Sequence, residues 1–216
     1  FKSQMPRSYL YYGFTTLINL GGISDKRITS FNSEPIKPDL YHTGYSGAAV
    51  ANGYPMVYTP EEFRFEFEPN FIYLESQAEH IPAKYLPADH TPKAVVKRIK
   101  NSGAIAVKSY YESGFGRMSN LPLPTKSIMS ELLHESHENG LVQTVHANSL
   151  KGHSFLADIR VDVIAHGLWN WENYRTVAKD SLPLEIKEIL DVQIQKQIGY
   201  TPTLTVISGE EALVDD

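Results

Sequence analysis

The chain alternates short apolar runs with longer segments in which apolar residues recur at helical spacing, most regularly after residue 90. Thr91 and Pro92 are typical of a helix start, and Gly103 is typical of the position just after a helix end. A second helix is predicted between Thr125 and Gly140, because its apolar residues recur every three or four positions. Strands are predicted at 104–110, 141–147, 161–166 and 201–207, with further helices near 150–159 and from Pro183 to Gly199.

The first ninety residues follow a less regular pattern. A helix is predicted to end over Arg7–Tyr12, where Gly13 stops it. An apolar, β-branched run at 14–20 predicts a strand, and Asp39–Gly44 is a weaker strand candidate. Residues 50–90 hold many prolines and aromatic residues without clear periodicity, which indicates a long insertion or loop.

Repeating strand–helix units with nearly continuous apolar strands predict a parallel sheet that helices cover on its faces. We treat residues 1–216 as a single catalytic domain with about six strands, whereas a (β/α)₈ barrel has eight strands and about 250 residues. The prediction is therefore an α/β fold of the TIM-barrel type that is incomplete, with about strands two to seven present. A doubly wound open sheet is the competing architecture, although no glycine-rich phosphate-binding loop follows any strand.

Three predicted strands each carry one metal-capable side chain near the C-terminal end, namely Lys108, His146 and His166. Side chains alternate between the two faces of a strand, and the outward face of a barrel must be apolar to meet the helices. This alternation assigns Lys108 and His146 to the interior, and on the third strand it assigns Ile164 and His166 there. All three candidates would then project towards the barrel mouth, where barrel enzymes place their chemistry.

This set of side chains suits a divalent cation. Neutral imidazole is a common ligand for zinc and similar ions. A lysine ammonium has no free lone pair, so Lys108 can take part only when it is deprotonated or modified. Reaction of its neutral amine with carbon dioxide would give a carbamate, N6-carboxylysine, whose two oxygens can bridge two metal ions.

Other polar and aromatic side chains are placed to meet a substrate at the predicted mouth. Tyr110 and Glu112 continue the inward face beyond Lys108, and Trp169 follows the third strand directly. Arg117 follows two glycines and could hold a substrate carboxylate. We therefore predict that Tyr110, Trp169 and Arg117 bind substrate.

Composition narrows the classes of partner. The net charge is -5 without a basic run, which argues against nucleic acid. No apolar stretch approaches the roughly 20 residues of a membrane helix. Cysteine is absent, which excludes disulfides and thiolate ligands and leaves the compartment open. The expectation is a soluble protein with a small-molecule substrate and no membrane partner.

Taken together, several segments resemble the amidohydrolase superfamily, in particular its imidazolonepropionase-like and Xaa-Pro dipeptidase-like branch. The segments that carry the resemblance are 14–22, 103–108, 144–148, 161–167 and 200–204. The resemblance implies that Lys108 is the carboxylated bridging lysine of strand four and that His146 and His166 are metal ligands of strands five and six. It also implies one or two zinc ions and cleavage of an amide or other C–N bond, in a dipeptide or N-acyl amino acid for example.

The sequence departs from that family at both ends. The His-x-His pair of strand one has no match, and the strand-eight aspartate, the general base, would lie beyond Asp216. Asn19 stands where an acidic residue is common in these relatives. We therefore expect the chain to be a fragment of a longer hydrolase. Such a fragment would aggregate or would be completed by another chain, as in a homo-oligomer. The alternative is a non-catalytic barrel relative that binds a small ligand or a partner.

Overall fold

A computed structural model describes residues 4–174 and 181–203 as an α/β fold with parallel sheets. Among these residues, no helix is long and apolar enough to cross a membrane. The helices are α1 Gln4–Tyr11, α2 Asp25–Asn32, α3 Arg64–Phe67, α4 Pro92–Asn101, α5 Lys126–Glu138, α6 Leu150–Ile159 and α7 Leu184–Gln195. The strands are β1 Thr16–Asn19, β2 Asp39–His42, β3 Ala106–Tyr110, β4 Val142–His146, β5 Val163–Ala165 and β6 Gly199–Thr201.

The strands lie side by side in chain order and run parallel. Strands β1 and β2 form one pair, and β3, β4, β5 and β6 form a second sheet in that order. Ile105 N donates to His42 O at 3.0 Å, which connects the end of β2 to the start of β3. The strands of the described residues do not close into a barrel. This arrangement agrees with the predicted incomplete barrel-type architecture.

Helices α4 and α5 begin where the sequence predicts, because a threonine hydroxyl accepts a hydrogen bond from an N–H group in the first turn of each. Thr91 Oγ1 accepts from Ala94 N at 3.2 Å, and Thr125 Oγ1 accepts from Ile128 N at 3.2 Å. The apolar faces of these helices meet the apolar face of the sheet in the main core. This core includes Val95, Val96, Ile99, Val107, Met129, Leu132, Val145, Leu156 and Ile164.

Residues 50–90 contain only short helices, as the lack of periodicity predicts, yet they form a second core. Phe65 and Phe71 pack edge to face with ring centroids 5.0 Å apart, and Met56 is completely buried beside them. Tyr110, the last residue of β3, packs against this second core. The segment is thereby attached to the strand that carries Lys108.

The strands differ from the prediction in their bounds. Strands β1 to β5 are each shorter than the predicted run, and β6 begins at Gly199, two residues earlier than predicted. The rest of the predicted strand at 201–207 lies, from residue 204 onward, outside the described residues.

The predicted inward direction of Ile164 is wrong. In the β4–β5 register, Val145 lies beside Ile164 and His146 lies beside Ala165. Neighbouring residues of adjacent strands share a face, so Ile164 lies with Val145 in the main core under the helices. The prediction counted back from His166 as if the backbone were extended up to it. The strand instead ends at Ala165, and His166 has a φ of 79°, which breaks the alternation.

Candidate functional site

A cavity of about 440 Å³ lies at the C-terminal ends of β3 and β4, and Lys108, His146 and His166 all line it. Lys108 is the third residue of β3, His146 is the last residue of β4, and His166 directly follows β5. Parallel strands bring these ends to one edge of the sheet, so residues far apart in sequence meet there. The structure thus brings together the three strand-end residues singled out in the sequence.

Lys108 is buried among the described residues without a polar partner from them. The residue is 3% exposed, and no hydrogen bond reaches its Nζ from residues 4–174 or 181–203. The Nζ of Lys108 lies over the Tyr110 ring, 5.8 Å from its centroid. Burial lowers the pKa of Lys108 to about 7, because desolvation disfavours the charged ammonium. The site therefore favours an amine that loses its charge easily.

His146 is held on one of its two ring nitrogens. Asn148 Nδ2 lies 3.2 Å from His146 Nε2, and Glu112 Oε2 lies 3.7 Å from the same nitrogen. The ring of Tyr54 stacks on the imidazole at a centroid distance of 4.5 Å. Burial lowers the pKa of His146, which keeps the imidazole neutral. The Asn148 amide N–H can donate only to an unprotonated Nε2, whereas the Glu112 carboxylate can accept only from a protonated one, so the two contacts favour opposite tautomers of the neutral ring.

His166 reaches the same cavity through an unusual backbone conformation. Its φ of 79° lies in the left-handed region, which residues other than glycine seldom adopt. Its N–H donates to Thr201 O at 2.8 Å, which fixes this conformation against β6. The His166 and His146 ring centroids are 4.8 Å apart. Burial lowers the pKa of His166 to about 4, helped by the charge of Lys108 and by His146.

The three predicted substrate-binding residues occupy different places. Tyr110 lines the cavity. Trp169 is 39% exposed and lies beside His166, with ring centroids 6.0 Å apart. Arg117 is exposed in the segment after β3 and does not line this cavity. Of the three predicted substrate-binding residues, Tyr110 is therefore the one that lines the cavity together with Lys108, His146 and His166.

Among the other cavity residues, Tyr54 and Glu68 were missed in the sequence because both lie in the irregular segment 50–90. Burial raises the pKa of Glu68 to about 7. Neither residue belongs to a periodic pattern, so nothing in the sequence places it near β3. The one available signal was the length of the segment, since long ordered loops often carry function.

The side chains fit a metal site only in part. Among residues 4–174 and 181–203, no group of three or more His, Cys, Asp or Glu residues is placed to hold a metal ion. His146 and His166 supply two neutral imidazoles, and Lys108 adds a third ligand only after loss of its ammonium charge. The buried Nζ without a partner favours that loss. These residues therefore fit one part of a divalent metal centre.

Comparisons with known proteins identify the fold. The sequence matches no protein-family model and no curated protein. The structure is similar to a Xaa-Pro dipeptidase with methionine bound in its active site, with a TM-score of 0.62 at 19% identity. It is also similar to A. niger ochratoxinase, with a TM-score of 0.66 at 15% identity, and to an amidohydrolase, with a TM-score of 0.62 at 14% identity.

These similarities extend over 99% of the chain but over only 48%, 47% and 49% of the three solved structures. The chain therefore spans about half the length of the structures that it matches. At such identities the comparisons show the fold. They confirm, at that level, the resemblance to amidohydrolase structures and the incomplete barrel-type architecture.

Proposed function

We propose that the protein is a metal-dependent hydrolase that cleaves an amide or other C–N bond of a small substrate, such as a dipeptide or an N-acyl amino acid. The observation that carries the proposal is the convergence of Lys108, His146 and His166 on one cavity at the strand ends. The fold supports it, because the similar solved structures include a dipeptidase, an ochratoxinase and an amidohydrolase.

His146 and His166 would hold a divalent ion, with zinc as the first choice for imidazole ligands. Glu112 would accept the Nε2 proton of His146, with the Asn148 side-chain amide turned so that its oxygen faces the same nitrogen, which leaves Nδ1 as the ligand atom. Glu112 is itself held, because its Oε1 accepts from Gly114 N at 3.0 Å. This chain of contacts would then hold the ring in one tautomer and one orientation.

Lys108 would join the site after a chemical change. Its neutral amine adds to the carbon of carbon dioxide, the new N–C bond forms, and one proton leaves to solvent. The product is a carbamate anion, which replaces an unpaired buried amine by an oxygen ligand. The pKa of Lys108, lowered to about 7 by burial, keeps a large fraction of the amine neutral and reactive.

A bound divalent ion would polarise the substrate carbonyl and lower the pKa of a coordinated water. Tyr54, stacked on His146, and Tyr110 would close the cavity wall and restrict the substrate to one face of the metal ligands. We assign no general base to the described residues, because the aspartate that the resemblance implies has no counterpart among them.

The first test measures metal content. The purified chain is loaded with zinc, freed of excess ion by gel filtration and analysed by elemental mass spectrometry. We expect bound zinc in the wild type and its loss in His146→Ala and His166→Ala. His134→Ala serves as the control, because His134 is exposed on α5. Equal zinc content in the wild type and in both site variants would refute the proposed site.

The second test measures activity. Amine release from a panel of dipeptides and N-acyl amino acids is followed with and without a chelator. Zinc-dependent hydrolysis that His146→Ala abolishes supports the enzyme. A chain that binds no metal and hydrolyses nothing, yet still binds small ligands in the cavity, would instead be the non-catalytic relative.

A further inference from the structure

The carboxyl group of Glu68 has no part in the proposed metal site, yet it lines the same cavity as Lys108, His146 and His166. Glu68 directly follows α3, and its backbone N–H donates to Arg64 O at 3.0 Å, which fixes the chain at this point. The side chain therefore belongs to the part of the cavity wall that segment 50–90 supplies.

This carboxyl group has no polar partner within the described part of the chain. No hydrogen bond or ion pair reaches it from residues 4–174 or 181–203, and Lys108 Nζ is also without a partner. Glu112, by contrast, accepts from Gly114 N and contacts His146. A half-buried carboxylate without a partner is costly unless a ligand supplies the missing positive charge.

The cavity surface around Glu68 suits a cation. The aromatic side chains of Phe67, Tyr54 and Tyr110 line the same cavity, and the faces of aromatic rings attract ammonium groups. A second anion would be repelled there, and Arg117, which could have held a substrate carboxylate, does not line this cavity. The charge and the rings therefore favour an amine over a carboxylate.

We infer that Glu68 and the neighbouring aromatic rings form a subsite for a primary ammonium group of the substrate. The inference rests on the proposed function, because it places the amine at one side of the cavity and the scissile amide at the other, beside Lys108, His146 and His166. Substrates with a cationic amine would be preferred over neutral or acidic amides of the same size.

The test is a binding measurement with matched probes. Calorimetric titrations compare ω-aminoalkanamides of increasing chain length with alkanamides that carry a methyl group in place of the ammonium. We expect the wild type to prefer the amine at one chain length. Glu68→Gln should weaken binding of that amine by about ten- to hundredfold and leave the methyl analogue unchanged.

Two further variants distinguish weaker binding caused by loss of the negative charge from weaker binding caused by damage to the fold. Glu66→Gln removes an exposed carboxylate from α3 and should bind the amine like the wild type. Glu68→Asp keeps the charge and should retain most of the amine preference. Thermal melting shows that each variant is folded. Equal amine affinity in the wild type and Glu68→Gln overturns the inference, even if Glu68→Gln hydrolyses substrate more slowly.

Each titration is run on zinc-loaded and on chelator-treated protein, so that the two proposals fail separately. Zinc binding without any amine preference refutes the Glu68 subsite and remains consistent with the proposed hydrolase. If the chain binds no zinc but still prefers the amine in a manner that depends on Glu68, the proposed hydrolase is refuted and the subsite is supported.

Discussion

The imidazole rings of His146 and His166 lie 4.8 Å apart, centroid to centroid, although their backbones approach the cavity in different ways. His146 ends a regular strand and points into the cavity by the alternation of β4. His166 lies beyond the end of β5 and reaches the cavity because its backbone is left-handed. The pair therefore depends on one regular and one strained conformation.

The strained conformation at His166 predicts an unusual order of stability. His166→Ala and His166→Gly both remove the imidazole, but only glycine adopts a φ of 79° without strain. We expect the glycine variant to be more stable than the alanine variant by about 1 kcal/mol in urea unfolding. The same pair at the exposed α5 residue Glu131 should show the opposite order, because glycine weakens a helix interior. An alanine variant at least as stable as glycine at position 166 would contradict this account.

Lys108→Met should separate stability from metal binding. The substitution replaces a buried amine without a partner by an apolar side chain of similar length, so the metal-free protein should gain about 1–3 kcal/mol of unfolding free energy. Zinc content should fall if Lys108 is a ligand. Urea unfolding and elemental analysis measure the two effects. Lys100→Met on the exposed end of α4 is the control and should change neither. A destabilised Lys108→Met variant would show that the amine has a partner in the folded protein.

Glu112→Gln should weaken zinc binding without removing a ligand. The amide can still accept from Gly114 N, but it loses the negative charge that lies 3.7 Å from His146 Nε2. Loss of such a supporting group lowers metal affinity by about 10- to 100-fold. Competition with a chelating dye measures the zinc affinity of the two proteins. Glu138→Gln, on the exposed end of α5, should bind zinc like the wild type. Unchanged affinity in Glu112→Gln would remove Glu112 from the proposed site.

His153 predicts a loss of stability in acid that is independent of any metal. It is fully buried, Gln193 Nε2 lies 3.1 Å from its Nδ1, and burial lowers its pKa to about 4. As the pH falls below 6.5, the unfolded chain binds a proton that the folded protein resists. Stability is therefore complete above pH 6.5 and is lost towards pH 4, by about 3 kcal/mol.

The measurement is a series of urea unfolding curves between pH 7 and pH 4 for the wild type and His153→Gln. Other buried histidines act in the same direction, so the difference between the two proteins isolates His153. We expect His153→Gln to be less stable at pH 7 and the deficit to shrink in acid. His134→Gln, at an exposed position on α5, is the control. A deficit that stays constant with pH would contradict the assignment.

Much of the fold could be predicted because local chemistry determines it. The threonine caps at Thr91 and Thr125 form as expected, since a hydroxyl that accepts from the first helical N–H groups is a local device. The positions of β3 and β4 follow from short apolar runs, and their parallel pairing follows from the helix between them. The inward directions of Lys108 and His146 follow from simple alternation along these strands.

Other features depended on contacts between distant segments. Glu68 and Tyr54 reach the cavity only because segment 50–90 packs its own aromatic core against Tyr110. The direction of Ile164 was predicted wrongly, because the end of β5 and the φ of His166 are set by pairing with β6. No periodic pattern in the sequence encodes either relationship.

Periodicity and capping act over a few residues, so the parallel strand–helix order and the three strand-end residues could be recognised from the sequence alone. The contacts of those residues, the carboxylates beside them and the turn of His166 into the cavity depend on the folded chain. The physical reason is that burial, pKa shifts and left-handed backbone conformations arise from packing between segments far apart in the chain.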